Sequence, residues 1–270
     1  MNEQRTPLHG WALILGASSG FGEASAIALA RQGLHIFGVH MDRKATLGKV
    51  DRIVGEIKGM GREAVFFNVN AADAEKRHEV LDEASRILTE RGESGAVTVL
   101  LHSLAFGALR PYVTEDAKEA LTQSQLEMTL DVMANSLVYW TQDLIRQKMM
   151  GSGGKVFAMT SSGGTHVWPT YGAVSAAKAA LEAHVRQLAY ELAPLGISAN
   201  SIRAGVTDTP ALRKIPGNEN LINGAMAKNP HRRLTTPQDV ACAIAALCAE
   251  GTRWITGNVI GVDGGEDLTG

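Results

Sequence analysis

A glycine-rich turn near the amino terminus constrains the fold of this chain more than any other stretch. Gly16, Gly20 and Gly22 follow the apolar run at 11–15 and precede a helix-forming stretch at 23–31. Glycine lets the backbone approach a pyrophosphate closely, and the new helix offers free N–H groups to the anion. The turn is therefore predicted to bind a dinucleotide through Gly16, Ser18, Ser19, Gly20, Phe21 and Gly22. A glycine-rich turn that binds no ligand is the alternative.

Short apolar segments alternate with longer amphipathic segments along the rest of the chain. The predicted strands after 11–15 are 35–39, 64–67, 97–101, 156–159, 197–202 and 259–262. The predicted helices after 23–31 are 47–58, 74–89, 126–148, 171–192 and 237–249. This pattern predicts an α/β fold, a Rossmann-type doubly wound parallel sheet of about seven strands with helices on both faces. Ligands of such folds bind at the edge where the strands end.

Composition excludes several other classes of protein. A chain of 270 residues, 45% of them hydrophobic, suits one large domain spanning 1–270. A net charge of −2 gives no reason to expect nucleic acid or an anionic membrane as a partner. The sequence has neither a membrane-spanning apolar run nor a signal peptide, so we expect a cytoplasmic protein. Its two cysteines, Cys242 and Cys248, lie six residues apart on different faces of a predicted helix, which favours buried free thiols, and no metal site is expected.

The residues after the second predicted strand bear on the choice of cofactor. A carboxylate at the tip of this strand would bind the ribose diol of NADH, whereas cations would attract the 2′-phosphate of NADPH. Here His40 stands at the tip, and Asp42 is followed by Arg43 and Lys44. The pattern favours NADPH, with NADH as the alternative. A solvated turn would explain the two cations equally well.

The next two strand ends offer further cofactor contacts. Asn68 and Val69 follow the third strand and are candidates to contact adenine, although a polar strand exit explains them as well. Ser103, Leu104 and Ala105 follow the fourth strand, where small residues let the backbone pass close to the cofactor. His102 is expected to be a packed or capping histidine rather than a catalytic base, because no residue near it in sequence would orient it.

Tyr171 and Lys178 are the candidate catalytic residues. They lie seven residues apart on a predicted helix, so they share one face at roughly 10 Å along the axis. Val174 and small residues lie between them, as expected where a cofactor lies against a helix. Ser162, at the end of the fifth strand, is expected to orient the substrate or the tyrosine, with Ser161 as a second candidate.

Together these motifs resemble the short-chain dehydrogenase/reductase family over nearly the whole chain. The turn at 16–22, Ser162, the segment 203–209 and the closing stretch 255–265 each match a family motif. The resemblance implies a nicotinamide cofactor, bound by Lys178 at the ribose and by Gly205, Val206 and Thr209 near the nicotinamide. It also implies a homotetramer.

Four departures from the usual family pattern point to one branch. Most members space tyrosine and lysine by four residues, and here Val174 stands four before Lys178. The residues His102 to Ala105 stand where most members have Asn-Asn-Ala-Gly. Met133 stands in place of the helix asparagine, with Asn135 two residues later. The loop at 208–217 is similar to the substrate loop of one subgroup. All four resemble the enoyl-acyl carrier protein reductases of fatty acid biosynthesis, mainly the NADPH-using third type, with first-type features at 102–103 and 131.

Enoyl reduction also explains the tyrosine spacing chemically. Hydride adds at C3 of an enoyl thioester while charge develops on the carbonyl oxygen of C1, two carbons farther away. Moving the tyrosine from four to seven residues before the lysine shifts its origin by roughly 4.5 Å. We therefore expect reduction of trans-2-enoyl thioesters, with Tyr171 donating to the enolate oxygen. A carbonyl or alcohol oxidoreductase (3-ketoacyl, steroid or sugar substrate) and a cofactor-binding sensor without turnover are the alternatives.

The segment 208–230 is predicted to form a substrate lid. It is polar and carries three prolines, with a short apolar stretch at 221–222. A cluster of cations lies in or near it, at Arg213, Lys214, Lys228, Arg232 and Arg233. Such a cluster would attract an acidic acyl carrier protein, and a coenzyme A thioester is the other candidate substrate. A solvated loop face would also explain these charges.

Overall fold

A computed structural model describes residues 7–269 and contains one sheet of seven parallel strands in the order β3-β2-β1-β4-β5-β6-β7. The strands are β1 (Trp11–Leu15), β2 (His35–His40), β3 (Ala64–Asn68), β4 (Val97–His102), β5 (Lys155–Ser161), β6 (Ser198–Ala204) and β7 (Val259–Val262). The helices are α1 (Gly20–Arg31), α2 (Leu47–Gly59), α3 (Ala74–Glu90), α4 (Gln123–Leu130), α5 (Ser136–Arg146), α6 (Gly172–Leu192), α7 (Asn218–Lys228) and α8 (Pro237–Leu247). The predicted fold class is confirmed. The prediction of two buried thiols is wrong for Cys242, which is exposed on α8.

Both faces of the sheet are buried, which is why its strands are almost continuously apolar. In β1, Trp11, Leu13 and Leu15 face the core beneath α3, α5 and α6, while Ala12 and Ile14 face α1, α2 and α8. The strand register brings Leu15 level with Val39 of β2 and His102 of β4. The loops after these strands therefore meet at one edge of the sheet. Within residues 7–269, no helix is both long and apolar enough to cross a membrane.

The helix predicted over 126–148 is interrupted. A π-helical turn at Asp131–Asn135 separates α4 from α5. On either side of it the hydroxyls of Thr129 and Ser136 donate to carbonyls four residues earlier, Gln125 O and Val132 O, at 2.7 and 2.8 Å. Such back-bonding bends helices, and π turns of this kind occur often at functional sites.

The predicted lid contains a helix that the sequence does not reveal. Helix α7 buries only Ala225, so it lacks the apolar stripe that marks an amphipathic helix. Its N-cap is Gly217 with φ +73°, and no side chain caps it there. The lid itself remains a prediction.

Candidate active site

The turn between β1 and α1 forms a cradle that excludes side chains. Gly16 N and Ala17 N donate to Val39 O at 2.8 and 3.0 Å, which fixes the turn against β2. A Cβ on Gly22 would lie 2.1 Å from Gly16 O, and one on Gly16 would lie 2.4 Å from Ser103 O. Neither position accepts another residue without moving the backbone.

The first turn of α1 fits an anion. Ser19 precedes the helix, and its side chain makes no capping bond, so the N–H groups of the first turn keep their donor capacity. Gly16 and Gly22 let the turn pack tightly against the start of α1 and against Ser103. These features fit the pyrophosphate of a nicotinamide dinucleotide.

Asp42, after β2, lies beside this turn, next to Ser18. Its carboxylate accepts from Thr46 Oγ1 at 2.8 Å and lies 3.0 Å from Nδ1 of the buried His40. Partial burial would raise the pKa of Asp42, but hydrogen bonding to Ser18, Thr46 and His40 outweighs it and holds the pKa below its usual value. The carboxylate is thus ionised and fixed beside Ser18, where the adenosine ribose would lie.

The other residues predicted for the adenosine end support or surround Asp42. The Asn68 side chain bonds the main-chain N–H and C=O of Asp42, both at 2.9 Å, so it holds this loop. Val69 N donates to His40 O at 2.8 Å. Arg43 and Lys44 are exposed at the surface. Neither these two side chains nor those of Asn68 and Val69 line the cavity that opens next to the glycine turn.

A cavity of about 330 Å³ opens next to the glycine turn, at the carboxyl edge of the sheet. Eleven of the predicted site residues line it: Phe21, Ser103, Leu104, Ala105, Ser161, Ser162, Tyr171, Lys178, Gly205, Val206 and Thr209. The remaining predicted residues lie in the turn itself or at the adenosine end. The sequence motifs therefore converge on one site.

Tyr171 and Lys178 both line this cavity. Tyr171 immediately precedes α6, which begins at Gly172, and Lys178 lies in its second turn. Burial lowers the pKa of Lys178 to about 8, with Glu182 opposing, and its Nζ donates to Met159 O at 2.6 Å. Burial raises the pKa of Tyr171, which keeps the phenol protonated as a donor.

Ser161, rather than Ser162, presents its hydroxyl to the tyrosine. Gly163 lies between them: a Cβ there would be 2.5 Å from the Tyr171 ring and 3.2 Å from Ser161 Oγ. Within residues 7–269, Ser161 Oγ is a buried group that makes no hydrogen bond, although it is close enough to oppose the rise in the pKa of Tyr171. A buried hydroxyl left open in this way fits a bound substrate or cofactor.

The positions where the chain departs from the family pattern surround the same cavity. Val174 is buried, and its Cγ2 would lie 3.0 Å from a Cβ on Gly107. Met133, in the π turn, lines the cavity. Asn135 does not, since its Oδ1 is 3.2 Å from Nε2 of His184. Asn135 therefore does not replace the missing helix asparagine.

His102 is packed beneath the site. It is fully buried, and its Nε2 lies 2.9 Å from Ser136 Oγ, an orienting partner that is 34 residues away in sequence. Burial, with the nearby charge of Lys178, lowers the pKa of His102 to about 3. The imidazole is therefore neutral near pH 7.

Part of the cavity wall was missed from the sequence. Val167 and Trp168, in the loop before Tyr171, line it together with Phe106 after β4. The only sequence signal of these three residues is their position after strands that end at this edge, which places them without showing that they face inwards. The predicted lid contributes Ile215 and Leu221, and Leu221 belongs to the apolar stretch at 221–222 that the sequence indicates.

Comparisons with known proteins agree with this geometry. The family model described as "Enoyl-(Acyl carrier protein) reductase" matches residues 16–266. A 1-cyclohexenylcarbonyl-CoA reductase of Streptomyces collinus is 29% identical, over 94% of this chain and 85% of that protein. An enoyl-[acyl-carrier-protein] reductase [NADH] of Aquifex aeolicus is 30% identical, over 96% of this chain and 92% of that protein.

Two solved structures have closely similar folds. The crystal structure of the enoyl-[acyl-carrier-protein] reductase (NADH) from Aquifex aeolicus has a TM-score of 0.80 at 26% identity and covers 97% of each chain. LugOII, titled a promiscuous reductase that catalyses keto-reduction in lugdunomycin biosynthesis, has a TM-score of 0.81 at 28% identity. The match covers 98% of this chain and 100% of the LugOII chain. The similar structures thus include both enoyl and keto reductases.

Proposed function

The chain belongs to the short-chain dehydrogenase/reductase family, and from this premise we propose that it is an enoyl reductase. Its substrate would be a trans-2-enoyl thioester of acyl carrier protein or coenzyme A, as in fatty acid biosynthesis. The observation that carries the proposal is the pair Tyr171 and Lys178, seven residues apart in one cavity, with Val174 packed where the usual tyrosine would stand.

The buried Val174 is the reason to favour a double bond over a ketone. A ketone needs its proton donor close to the carbon that receives the hydride, and valine offers no donor there. Tyr171, one helical turn farther out, suits an oxygen two carbons away from that carbon. Two relatives carry names consistent with this chemistry, the enoyl reductase and the cyclohexenylcarbonyl-CoA reductase.

Each side chain of the site has a separate role in the proposed reaction. A bound nicotinamide would supply the hydride that adds to C3. Tyr171 donates a hydrogen bond to the thioester oxygen as negative charge develops on it, and the resulting enolate takes a proton at C2 to complete the reduction. Lys178 holds the cofactor ribose and adds positive charge, and Ser161 orients the substrate or the phenol. The apolar wall, including Trp168 and Leu221, accepts the acyl chain.

The proposal predicts that the protein oxidises reduced nicotinamide cofactor with a crotonyl thioester and not with an acetoacetyl thioester. The two acceptors should be assayed as both acyl carrier protein and coenzyme A thioesters, at equal concentration, with NADH and with NADPH. Turnover of the ketone alone would overturn the enoyl assignment. It would instead support a carbonyl reductase, the alternative favoured by LugOII and by the 3-oxoacyl-[acyl-carrier-protein] reductase of Thermotoga maritima, which is 24% identical.

We further propose that Asp42 decides the choice of cofactor and favours NADH. Arg43 and Lys44 are the reason that the sequence favours NADPH, but both side chains are exposed. The Asp42 carboxylate, in contrast, is held by Thr46 and His40 beside the glycine turn. A fixed carboxylate accepts from a ribose diol and repels a 2′-phosphate.

Asp42→Asn should shift the preference towards NADPH, because it removes the charge and keeps the shape. The ratio of kcat/KM for NADPH to that for NADH is expected to rise at least about ten-fold, since like charges near a protein surface repel by about 1–4 kcal/mol. Asp51→Asn, an exposed position on α2, is the matched control. An unchanged ratio in Asp42→Asn would assign the selection to Arg43 and Lys44 instead.

The carrier of the substrate would dock near the predicted lid. Arg213 is paired with Asp208 at 2.7 Å and Arg233 with Asp239 at 2.6 Å, so these two charges are already compensated. Lys214 lines the cavity and is exposed, which makes it the best-placed cation for a phosphate or an acidic carrier. Lys214→Glu should therefore raise KM for whichever thioester is used.

We also propose that the protein assembles as a homotetramer. Within residues 7–269, β7 is an edge strand of the sheet and pairs with β6 alone. Beside it, Trp254 is 97% exposed, and Ile255 and Val259 are also exposed. An apolar group at an unpaired sheet edge supports association through this side.

A further inference from the structure

The chain after β7 forms a short turn, residues 263–269, that reaches back to the active site. Asp263 shapes it: Oδ1 accepts from Gly265 N at 2.9 Å and Oδ2 from Asp267 N at 3.3 Å. Gly265 adopts φ +84°, a conformation that favours glycine. This geometry turns the Glu266 side chain towards the loop that follows β6.

The Glu266 carboxylate accepts a hydrogen bond from the main chain of that loop. Val206 N donates to its two oxygens, at 3.1 and 3.2 Å. The preceding Gly205 packs so closely that a Cβ there would lie 3.0 Å from Glu266 Oε2 and 2.4 Å from Thr235 Oγ1. Gly205, Val206 and Thr209 all line the cavity. The carboxylate therefore fixes the backbone of a cavity wall.

The same turn contacts three other parts of the site. Asp267 pairs with Arg203, at the end of β6, at 2.9 Å, and lies 4.0 Å from Nδ1 of His166 in the loop before Tyr171. Thr269 Oγ1 donates to Lys228 O, at the end of α7, at 2.9 Å. The turn thus connects the loop after β6 with the tyrosine loop and the predicted lid.

Keeping an ionised carboxylate here costs stability. Burial, with the negative charges of Asp263 and Asp267, raises the pKa of Glu266, although the bonds from Val206 and Asn229 oppose this. For a carboxyl group whose pKa is raised on folding, stability falls as pH rises through that pKa. The ionised form of Glu266 is therefore unfavourable for the stability of the folded protein, a pattern typical of functional rather than stabilising residues.

We propose that Glu266 is a positioning residue: through Val206 N it holds the loop at 205–209 in the shape that binds the nicotinamide half of the cofactor. This rests on the family-based placement of the nicotinamide against that loop, but not on the identity of the acceptor. Val206 was predicted to bind cofactor directly. Its N–H is committed to Glu266, so Val206 would contact the cofactor through its side chain or carbonyl.

The test compares three variants by cofactor binding without substrate. Glu266→Leu removes the acceptor, Glu266→Gln keeps one acceptor oxygen, and Glu250→Leu alters an exposed glutamate whose side chain is 81% accessible. Calorimetric titration with NADH and with NADPH should show that Glu266→Leu raises Kd at least about ten-fold, because a hydrogen bond to a charged group is lost. Glu266→Gln should recover most of the affinity, and Glu250→Leu should match the wild type.

Two further readouts separate positioning from a structural role. Amide hydrogen exchange of peptides covering 204–209 should be faster in Glu266→Leu than in the wild type, while peptides from the sheet exchange as before. The melting temperature of Glu266→Gln at pH 7 should equal or exceed that of the wild type. An unchanged Kd in Glu266→Leu, or a uniform loss of protection across the sheet, would overturn the inference. If the wild type binds cofactor but does not reduce crotonyl thioesters, only the enoyl proposal fails.

Discussion

Tyr171→Phe is expected to lower kcat for crotonyl thioester reduction by about 10²–10³, the usual loss when one donor to a developing oxyanion is removed. Phenylalanine keeps the ring that packs on Gly163 and removes only the hydroxyl. The thioester oxygen would then develop its charge without the donor placed to meet it. The binding of NADH or NADPH should be nearly unchanged, because the phenol acts on the substrate.

Steady-state kinetics with separate cofactor titrations checks this result. Tyr190→Phe is the matched control, because Tyr190 lies on the same helix and is 80% exposed. It should leave kcat and Kd as they are. If Tyr171→Phe keeps its turnover, Tyr171 is not the donor to the enolate oxygen, and the main support for enoyl reduction is lost.

Ser161→Ala should lower kcat by less than Tyr171→Phe does, since the Ser161 hydroxyl acts beside the phenol.

The sequence predicts the fold well because the signals for it are local. Both faces of the sheet are covered, so strands such as Trp11–Leu15 are apolar throughout, and turn residues separate them from amphipathic helices. The glycine turn is equally readable, since the close contact between Gly22 and Gly16 O excludes any other residue. Tyr171 and Lys178 are visible because helical periodicity predicts them on one face, although Tyr171 lies at the N-cap of α6 and not within the helix.

Features that depend on distant contacts are not readable in this way. His102 meets Ser136 across the core, and Val206 meets Glu266 across 60 residues. The sequence places Asp42 correctly after β2, but only the folded loop shows that Thr46 and His40 turn its carboxylate towards the phosphate turn. Charge order along the chain therefore favours NADPH, whereas the packing of the loop is the basis of our proposal that Asp42 favours NADH.

The choice between Ser161 and Ser162 depends on a similar local detail. Ser161 is the last residue of β5, whereas Ser162 begins a short helical turn and bonds Thr165 N and His166 N through its carbonyl. The sequence shows that both serines follow the strand, but not where the strand ends.

Lys178→Met should abolish most activity without unfolding the protein. Removing the buried ammonium takes away the positive charge beside the reaction, and we expect kcat/KM for the cofactor to fall by about 10² or more. The wild type itself should lose kcat/KM as pH rises through about 8, where Lys178 releases its proton. Lys155→Met is the control, since Lys155 is also buried with a lowered pKa but lies at the opposite end of β5.

Stability should respond to Lys178→Met in a way that distinguishes this lysine from a structural one. Burial lowers the pKa of Lys178 from 10.5 to about 8, so the folded protein binds the proton less tightly than the unfolded chain. Between these two pH values the unfolded chain carries more protons than the folded protein, so the stability of the wild type rises with pH.

Methionine at position 178 removes the buried charge but leaves Met159 O without its donor, at a cost of about 1–3 kcal/mol. Denaturant unfolding should therefore give similar stabilities at pH 7 and a growing advantage for the wild type towards pH 10. An advantage that shrinks with pH would show that Lys178 is not buried as an ammonium.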